Sequence, residues 1–370
     1  MNTAPPTAAV HEHPSRGLAP AAEAGRLLCG PRAVPWTMLT IAAVLGAVAP
    51  AFTAAAAPWP FVVALLAFGM PHGAADWAVA GRLSGRDGFL PRLLGFGGYL
   101  LLMAASLAAL ALQPGIAALL FLLLTVFHFG MADATAVGAD DDGPVARWGL
   151  VFGRGLLLLA TAFAAHPAEA WAPFARIGDA LSPWAAAAWR PDLGTLQRLA
   201  LVGAIAGGVI ACVGAAARAA AGHAHAAARD LAEHAFVAAM ASMADPLFAV
   251  GCYFLGVHAF RHSRRLASTA CVIDTVGASS GTARARGTAE PLGRRLLRVH
   301  VLSLPLMWPT AACMVALCWA LGGGDAWTVA DASIAFYMIT TLPHHLLGLR
   351  LPRPDMPPAA TGAERAAFGT

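Results

Sequence analysis

Residues 115–133 read GIAALLFLLLTVFHFGMAD. From Ile116 to Phe127 the only polar side chain is Thr125, and the first group able to carry a charge is His128. A helix of about 20 such residues spans the hydrocarbon core of a bilayer. In that setting an ionisable side chain is expensive enough to mark function or pairing. The stretch therefore predicts two things: a membrane-spanning helix, and a histidine placed inside it for a reason.

The rest of the chain agrees. Its 370 residues are 58% hydrophobic and 12% charged, with a mean hydropathy of +0.65. Soluble domains are about 45–50% apolar and about 25% charged, so a water-soluble fold of this size could not cover its apolar surface. Further apolar runs fall at about 36–57, 60–80, 92–112, 147–166, 196–217, 299–321 and 328–350. A longer run, 224–262, is interrupted at Asp245-Pro246, where proline breaks a helix. It reads as a helical hairpin, or as a re-entrant piece plus one span. The predicted fold is all-α, a polytopic transmembrane helical bundle of roughly 8–10 spans with a proline-broken hairpin.

The net charge of +4 comes from arginine alone, because the sequence contains no lysine. The arginines lie between apolar runs, which is a topological signal and not a nucleic-acid footprint; no nucleic-acid partner is expected. The segment 263–298 carries Arg264, Arg265, Arg284, Arg286, Arg294, Arg295 and Arg298, and the segment 81–92 carries Arg82, Arg86 and Arg92. Both are expected on the cytoplasmic side, with the N-terminal tail (Arg16, Arg26, Arg32) and the C-terminus. The segment 167–195, with Trp171, Trp184 and Trp189, reads as an interfacial loop on the opposite face. Residues 1–33 and 352–370 read as loose tails around a transmembrane domain at 34–351, which contains a flexible cytoplasmic loop at about 264–297. The six cysteines form no C-x-x-C pair and read as small apolar filler.

Four segments hold histidines inside or beside apolar runs: Met70-Pro71-His72-Gly73-Ala74-Ala75-Asp76, His128-Phe129-Gly130-Met131-Ala132-Asp133, Tyr253 to His262, and Leu342-Pro343-His344-His345. His258 and His262 stand four apart, so on a helix they share a face at about 5–6 Å between Cβ atoms, and both imidazoles reach one metal ion. His72 and Asp76 have the same spacing. Asp76, and Asp133 near His128, are placed to accept a hydrogen bond from the second nitrogen of a ligating imidazole. In the predicted topology the spans carrying His72, His128, His258 and His344 all run inward, so the four motifs share the cytoplasmic half of the membrane. An all-imidazole shell suits zinc, copper, iron or nickel, and spacing does not choose among them.

These segments resemble the Brp/Blh family of bacterial and archaeal membrane β-carotene 15,15'-dioxygenases. The resemblance is carried by Pro71-His72-Gly73-Ala74-Ala75-Asp76, by His128-Phe129-Gly130-Met131-Ala132-Asp133, and by Asp245-Pro246-Leu247-Phe248, Tyr253-Phe254 and His258-Ala259-Phe260-Arg261-His262. Glu233 and Pro343-His344 also fit its pattern, and the likeness covers about 60–350. It implies an iron(II) enzyme that cleaves β-carotene at its central double bond with dioxygen, giving two molecules of retinal. It implies His72, His128, His258 and His262 as the iron ligands. Asp76, Asp133, Tyr253, Phe254, Arg261 and His344 then supply outer-shell or pocket positions, with no catalytic residue beyond the metal centre. The span domain becomes a catalytic domain in a bacterial inner membrane, with the bilayer as its solvent and a retinal-binding opsin as a functional associate. Val257 and Ala259 depart from the tryptophan and serine usual in the family at those positions.

A long apolar polyene partitions into lipid, so a membrane-embedded enzyme meets it directly. Its tunnel is expected to be apolar and aromatic, with Phe68, Phe127, Phe129, Tyr253, Phe254, Phe260 and Trp308 as candidates. Other readings are a carotenoid- or retinal-binding or rhodopsin-assembly protein without catalysis, and another histidine-ligated membrane oxygenase or desaturase. The repeated H-x-x-H-H boxes of di-iron desaturases are missing. A transporter is disfavoured because neither a repeated half nor a path of intramembrane carboxylates is evident.

Overall fold

Prolines start many of the helices. Pro50, Pro114, Pro144, Pro167 and Pro246 each stand in a first turn, where the missing N–H would have no intrahelical partner. The structure, a computed structural model, describes residues 32–71, 73, 75, 89–186, 190–267 and 291–349. In chain order its helices are α1 (Ala33–Val48), α2 (Pro50–Ala55), α3 (Trp59–Ala64), α4 (Phe89–Leu112), α5 (Pro114–Ala136), α6 (Pro144–Ala165), α7 (Pro167–Leu181) and α8 (Pro183–Ala186). They continue as α9 (Leu193–Ala220), α10 (Ala224–Met243), α11 (Pro246–Tyr253), α12 (Phe260–Ala267), α13 (Leu292–Ala320) and α14 (Ala326–Gly348). No strand occurs among the described residues, so the fold is the all-α bundle that the sequence predicts.

Among the described residues, three helices, α5, α6 and α9, have by themselves the length and apolarity to cross a membrane. A fourth span results if the two halves of α13, which meet at 69° beside Pro305, count as one. Shorter apolar helices, Ala33–Val48, Trp59–Gly69 and Phe96–Leu112, fall on other predicted runs. Several runs are interrupted where a running average does not show it. The first apolar run stops at Ala49 and restarts at Pro50. The second is α3 followed by a π turn over Leu65–Gly69. The long run is cut at Asp245-Pro246 as expected, and the Asp245 carboxylate caps α11 by accepting from the N–H groups of Leu247 and Phe248.

The segment read as an interfacial loop contains a helix. α7 occupies Pro167–Leu181, with Trp171 buried and Trp184 exposed, while Trp189 lies outside the described residues. α7 lies against α14, where Arg176 grips Asp331 through two hydrogen bonds of 2.6 and 2.8 Å. Two caps lie outside the spans. Thr195 donates to Asp192 and Thr328 to Asp325, and these bonds hold both exposed carboxyls below the usual carboxylate range. Their contribution is present above the carboxylate range and fades as the pH falls through it.

Where hydrocarbon surrounds helices, packing and not the hydrophobic effect joins them, and small residues permit the closest approach. α6 shows this on two faces. Towards α9, Gly149 meets Gly214 and Gly153 meets Ala211. Towards α5, a Cβ added at Gly130 would stand 2.0 Å from the Val151 carbonyl oxygen, and one at Gly155 would stand 2.1 Å from that of Val126. The α5–α6 crossing therefore has backbone against backbone on either side of His128. Substituting Gly130→Ala should separate the two helices and lower stability by about 1–3 kcal/mol or more, read as a fall in the thermal unfolding midpoint of the protein in detergent. An unchanged midpoint would show that the crossing is looser than described.

Candidate functional site

Three stretches deliver five histidines to one place. His128 lies on α5 beside the glycine crossing with α6. After α11 the chain makes a second π turn, Phe254–Ala259, which carries His258 and passes directly into α12 with Arg261 and His262. Single π turns inside helices recur at functional sites. His344 and His345 follow Pro343 on α14. All five imidazoles are buried. His128 Nε2 stands 3.1 Å from His258 Nε2, and His128 Nδ1 stands 3.0 Å from His345 Nδ1. The His344 ring lies 5.2 Å from that of His128 and 5.0 Å from that of His262, while the His258 and His262 rings are 6.5 Å apart and nearly parallel. Each nitrogen-to-nitrogen contact needs one bare nitrogen facing an N–H, or two bare nitrogens facing a shared cation. Among the described residues, no group of three or more His, Cys, Asp or Glu side chains is arranged to hold a metal ion as it stands.

A network of charges adjoins the histidines, and Arg32, 3.8 Å from Glu233 and 2.8 Å from Asp230, extends it outward. Arg154 donates to Glu233 at 2.5 Å, and Arg261 donates to the same oxygen at 2.6 Å. Arg261 also pairs with Asp133 at 3.0 Å, and the Tyr253 hydroxyl donates to the other Asp133 oxygen at 2.5 Å. From α1, the Trp36 indole N–H donates to Glu233 at 3.1 Å. Arg154, Glu233, Asp133 and Tyr253 are each 0% exposed. The two arginines balance the two carboxylates, which makes burial tolerable because every charge faces its opposite. The network reaches the histidines through the chain itself: Asp133 follows His128 on α5, and Arg261 sits between His258 and His262.

His128, His258 and His344 form part of the wall of an apolar cavity of about 280 Å³, with His262 and His345 behind them. Phe129 and Phe254 flank His258 at 4.5 and 5.7 Å between ring centres. Phe61, Phe121, Phe163 and Phe174 extend the lining, and α7 contributes Ala170 and Pro173. Almost all of this surface is hydrocarbon. The cavity suits a long apolar molecule; its polar lining residues are the three histidines, Glu169, Tyr337, Thr125, Thr310, Thr340 and Thr341.

A protein-family model described as Beta-carotene 15,15'-dioxygenase matches residues 63–351. The chain belongs to that family. No curated protein and no solved structure matches it.

Against the motifs that suggest the family, the structure brings together His128, His258, His262 and His344, with Phe254 beside them. His72 and Asp76 lie outside the described residues. Among the described residues, Asp133 takes its contacts from Tyr253, Arg261 and Arg154 and from no histidine. Of the aromatic candidates, Phe129 and Phe254 line the cavity. Phe68, Phe127, Tyr253, Phe260 and Trp308 do not, and Trp308 is 81% exposed. His345 touches His128, where the sequence left open whether His344 or His345 reaches the site. Two features escaped the sequence reading. Arg154 lies in a run that reads as an ordinary span, although a lone intramembrane arginine is itself a signal. The π turns leave no mark in the pattern.

Replacing Asp133→Asn removes one charge of a balanced buried set and should cost about 3–5 kcal/mol. Tyr253→Phe removes only a hydrogen-bond donor to Asp133 and should cost about 1–3 kcal/mol. Thermal or denaturant unfolding in detergent should rank the two in that order. The reverse ranking would mean that the carboxylate is held mainly by the tyrosine.

Proposed function

We propose that this protein is an iron(II)-dependent dioxygenase that cleaves β-carotene at its central double bond with dioxygen, giving two molecules of retinal, within the membrane. What carries the reading is a cluster of buried imidazoles at the wall of an apolar cavity, in a chain of the β-carotene 15,15'-dioxygenase family.

The residues fit an iron centre. Two imidazole nitrogens on neighbouring positions of one metal ion, each about 2.1 Å from it, stand about 3 Å apart, close to the separation between His128 Nε2 and His258 Nε2 of 3.1 Å. The surrounding donors are imidazoles, which suit iron. His128, His258 and His262, with His72, would hold the ion. His345 has a separate part. Assigning the His128 proton to Nδ1 lets that nitrogen donate to His345 Nδ1 and leaves Nε2 bare, the orientation that outer-shell partners impose on ligating histidines. His344 stands at the cavity wall beside His262. An iron(II) ion held there would bind and activate dioxygen, while the four electrons that reduce it come from the double bond that is broken.

The chain's own residues do the remaining work. The phenylalanines hold the polyene and exclude water, so the central double bond is positioned and not merely captured. The charge network keeps α5 and α12 in register, so that His128 and His262 keep their separation. No general base is called for, since each carbon of the broken double bond becomes an aldehyde carbon without a proton being taken from it. The apolar helices and arginine-rich connections support a multi-pass protein of a bacterial inner membrane with both termini in the cytoplasm.

Expression in a β-carotene-producing bacterium supplied with iron should bleach the cells and yield retinal. His258→Ala and His262→Ala should each abolish cleavage and lower bound iron, whereas His166→Ala, whose ring contacts the Ser242 carbonyl far along the fold, should do neither. Unchanged β-carotene in cells that hold folded protein would overturn the activity, and full iron content in the His262→Ala protein would overturn the ligand assignment.

A further inference from the structure

A hydrocarbon substrate has to reach the histidines from the bilayer, and the cavity wall shows where. Of the described residues that line it, three are exposed: Glu169, Leu100 and Pro309. Glu169 stands in the first turn of α7, just after the end of the spanning helix α6. That end of the cavity lies at the membrane surface, where an entering hydrocarbon would pass water, headgroups and a carboxylate. Leu100 and Pro309 differ. Each lies near the middle of a helix, Leu100 on α4 and Pro309 on α13, and neither carries a charge.

These two helices flank a gap. α4 packs on α5, α7 and α14, and α13 packs on α12 and α14, while α4 and α13 have next to no contact with one another among the described residues. α14 forms the floor between them, where half-buried Phe336 and Thr340 line the cavity. The Thr340 hydroxyl donates to the Phe336 carbonyl one turn back, so it is satisfied without water. Leu100 lines the cavity and is 45% exposed, and Leu101 beside it is 71% exposed, so α4 passes from cavity wall to lipid face at this point. α13 makes the same passage between Trp308, on its lipid face, and Thr310, which lines the cavity.

We propose that β-carotene enters the cavity, and retinal leaves it, sideways from the bilayer through an opening between α4 and α13 whose rim is Leu100 and Pro309. The opening lies towards the middle of both helices, at the depth where a polyene dissolves. The same cavity wall includes His128, His258 and His344, so a polyene entering there meets the imidazoles without crossing water. The inference rests on the carotenoid-cleavage reading of the same site.

Gly97 precedes Leu100 by three residues and so neighbours it on the helix surface. It is exposed, and an added Cβ would meet nothing within 4 Å. Gly97→Phe therefore sets a ring beside the opening without disturbing the packing. Gly208→Phe on α9, where a Cβ also meets nothing within 4 Å, sets one elsewhere. Iron-loaded protein in detergent, kept free of dioxygen so that nothing is cleaved, is mixed with β-carotene, and quenching of tryptophan fluorescence gives the association and dissociation rates. Gly97→Phe should slow both rates by about tenfold, within the spread of on-rates among variants of one interface, and leave the affinity within about twofold of the wild type. Leu100→Ala, which trims the rim, should speed both, and Gly208→Phe should change neither. A passage obstructs both directions alike, whereas a lost binding contact changes the affinity. Unchanged rates in either α4 variant, an affinity that falls with the association rate in Gly97→Phe, or equal slowing by Gly208→Phe would overturn the opening. Admitting dioxygen then tests cleavage alone: if the wild type binds β-carotene and forms no retinal, the cleavage reading fails, while the rates still decide the route. Wild type that binds no β-carotene overturns both.

Discussion

Two arginines facing two carboxylates, all closed to solvent, hold this bundle in the shape that its site requires. Arg154 and Arg261 converge on one oxygen of Glu233, and Arg261 continues to Asp133. With Trp36 and Tyr253 the network ties α1, α5, α6, α10, α11 and α12 to one another. In a chain this apolar, dispersion and small-residue packing join helices with little preference for register. A buried ion pair is different. It is costly when broken, because the charge left behind has neither water nor a partner, so it selects one arrangement and rejects those that slip. The helices so fixed are the ones that carry His128, His258 and His262.

The same physics explains why the site can be both greasy and polar. Imidazoles are uncharged in their basic form and can face one another without a counter-ion, so they stand at the wall of a hydrocarbon-lined cavity at modest cost. Carboxylates would need cations nearby, and Asp133 and Glu233 lie in the adjacent network with arginines of their own. Charge balance and the imidazole cluster are thereby kept in separate layers, joined by the short stretches from His128 to Asp133 and from His258 to His262.

Much of this was legible from residue order. Composition alone required lipid as the solvent, and Asp245-Pro246 marked the break between α10 and α11 at the correct residues. The spacing of His258 and His262 predicted a shared helical face, and their rings are parallel neighbours even though a π turn intervenes. The interruptions within the apolar runs were less legible. Hydropathy averages over π turns and interior prolines such as Pro305, and it reads an amphipathic helix such as α7 as a loop. Within the site, Asp133 sits beside His128 in sequence, yet its side chain turns to the arginines, because a buried charge satisfies another charge before it satisfies a neutral ring. His345 could not be singled out from order alone, because it is defined by what it touches on α5.

The central claim is that these imidazoles converge on one iron. X-ray absorption at the iron edge, on protein purified from iron-supplied cells and paired with metal analysis, tests it most directly. The account predicts about one iron per chain with a first shell dominated by imidazole nitrogen, and a shell that loses imidazole scattering in the His258→Ala protein. Carotenoid-cleaving protein without stoichiometric iron, or iron in a shell without imidazole, would contradict it.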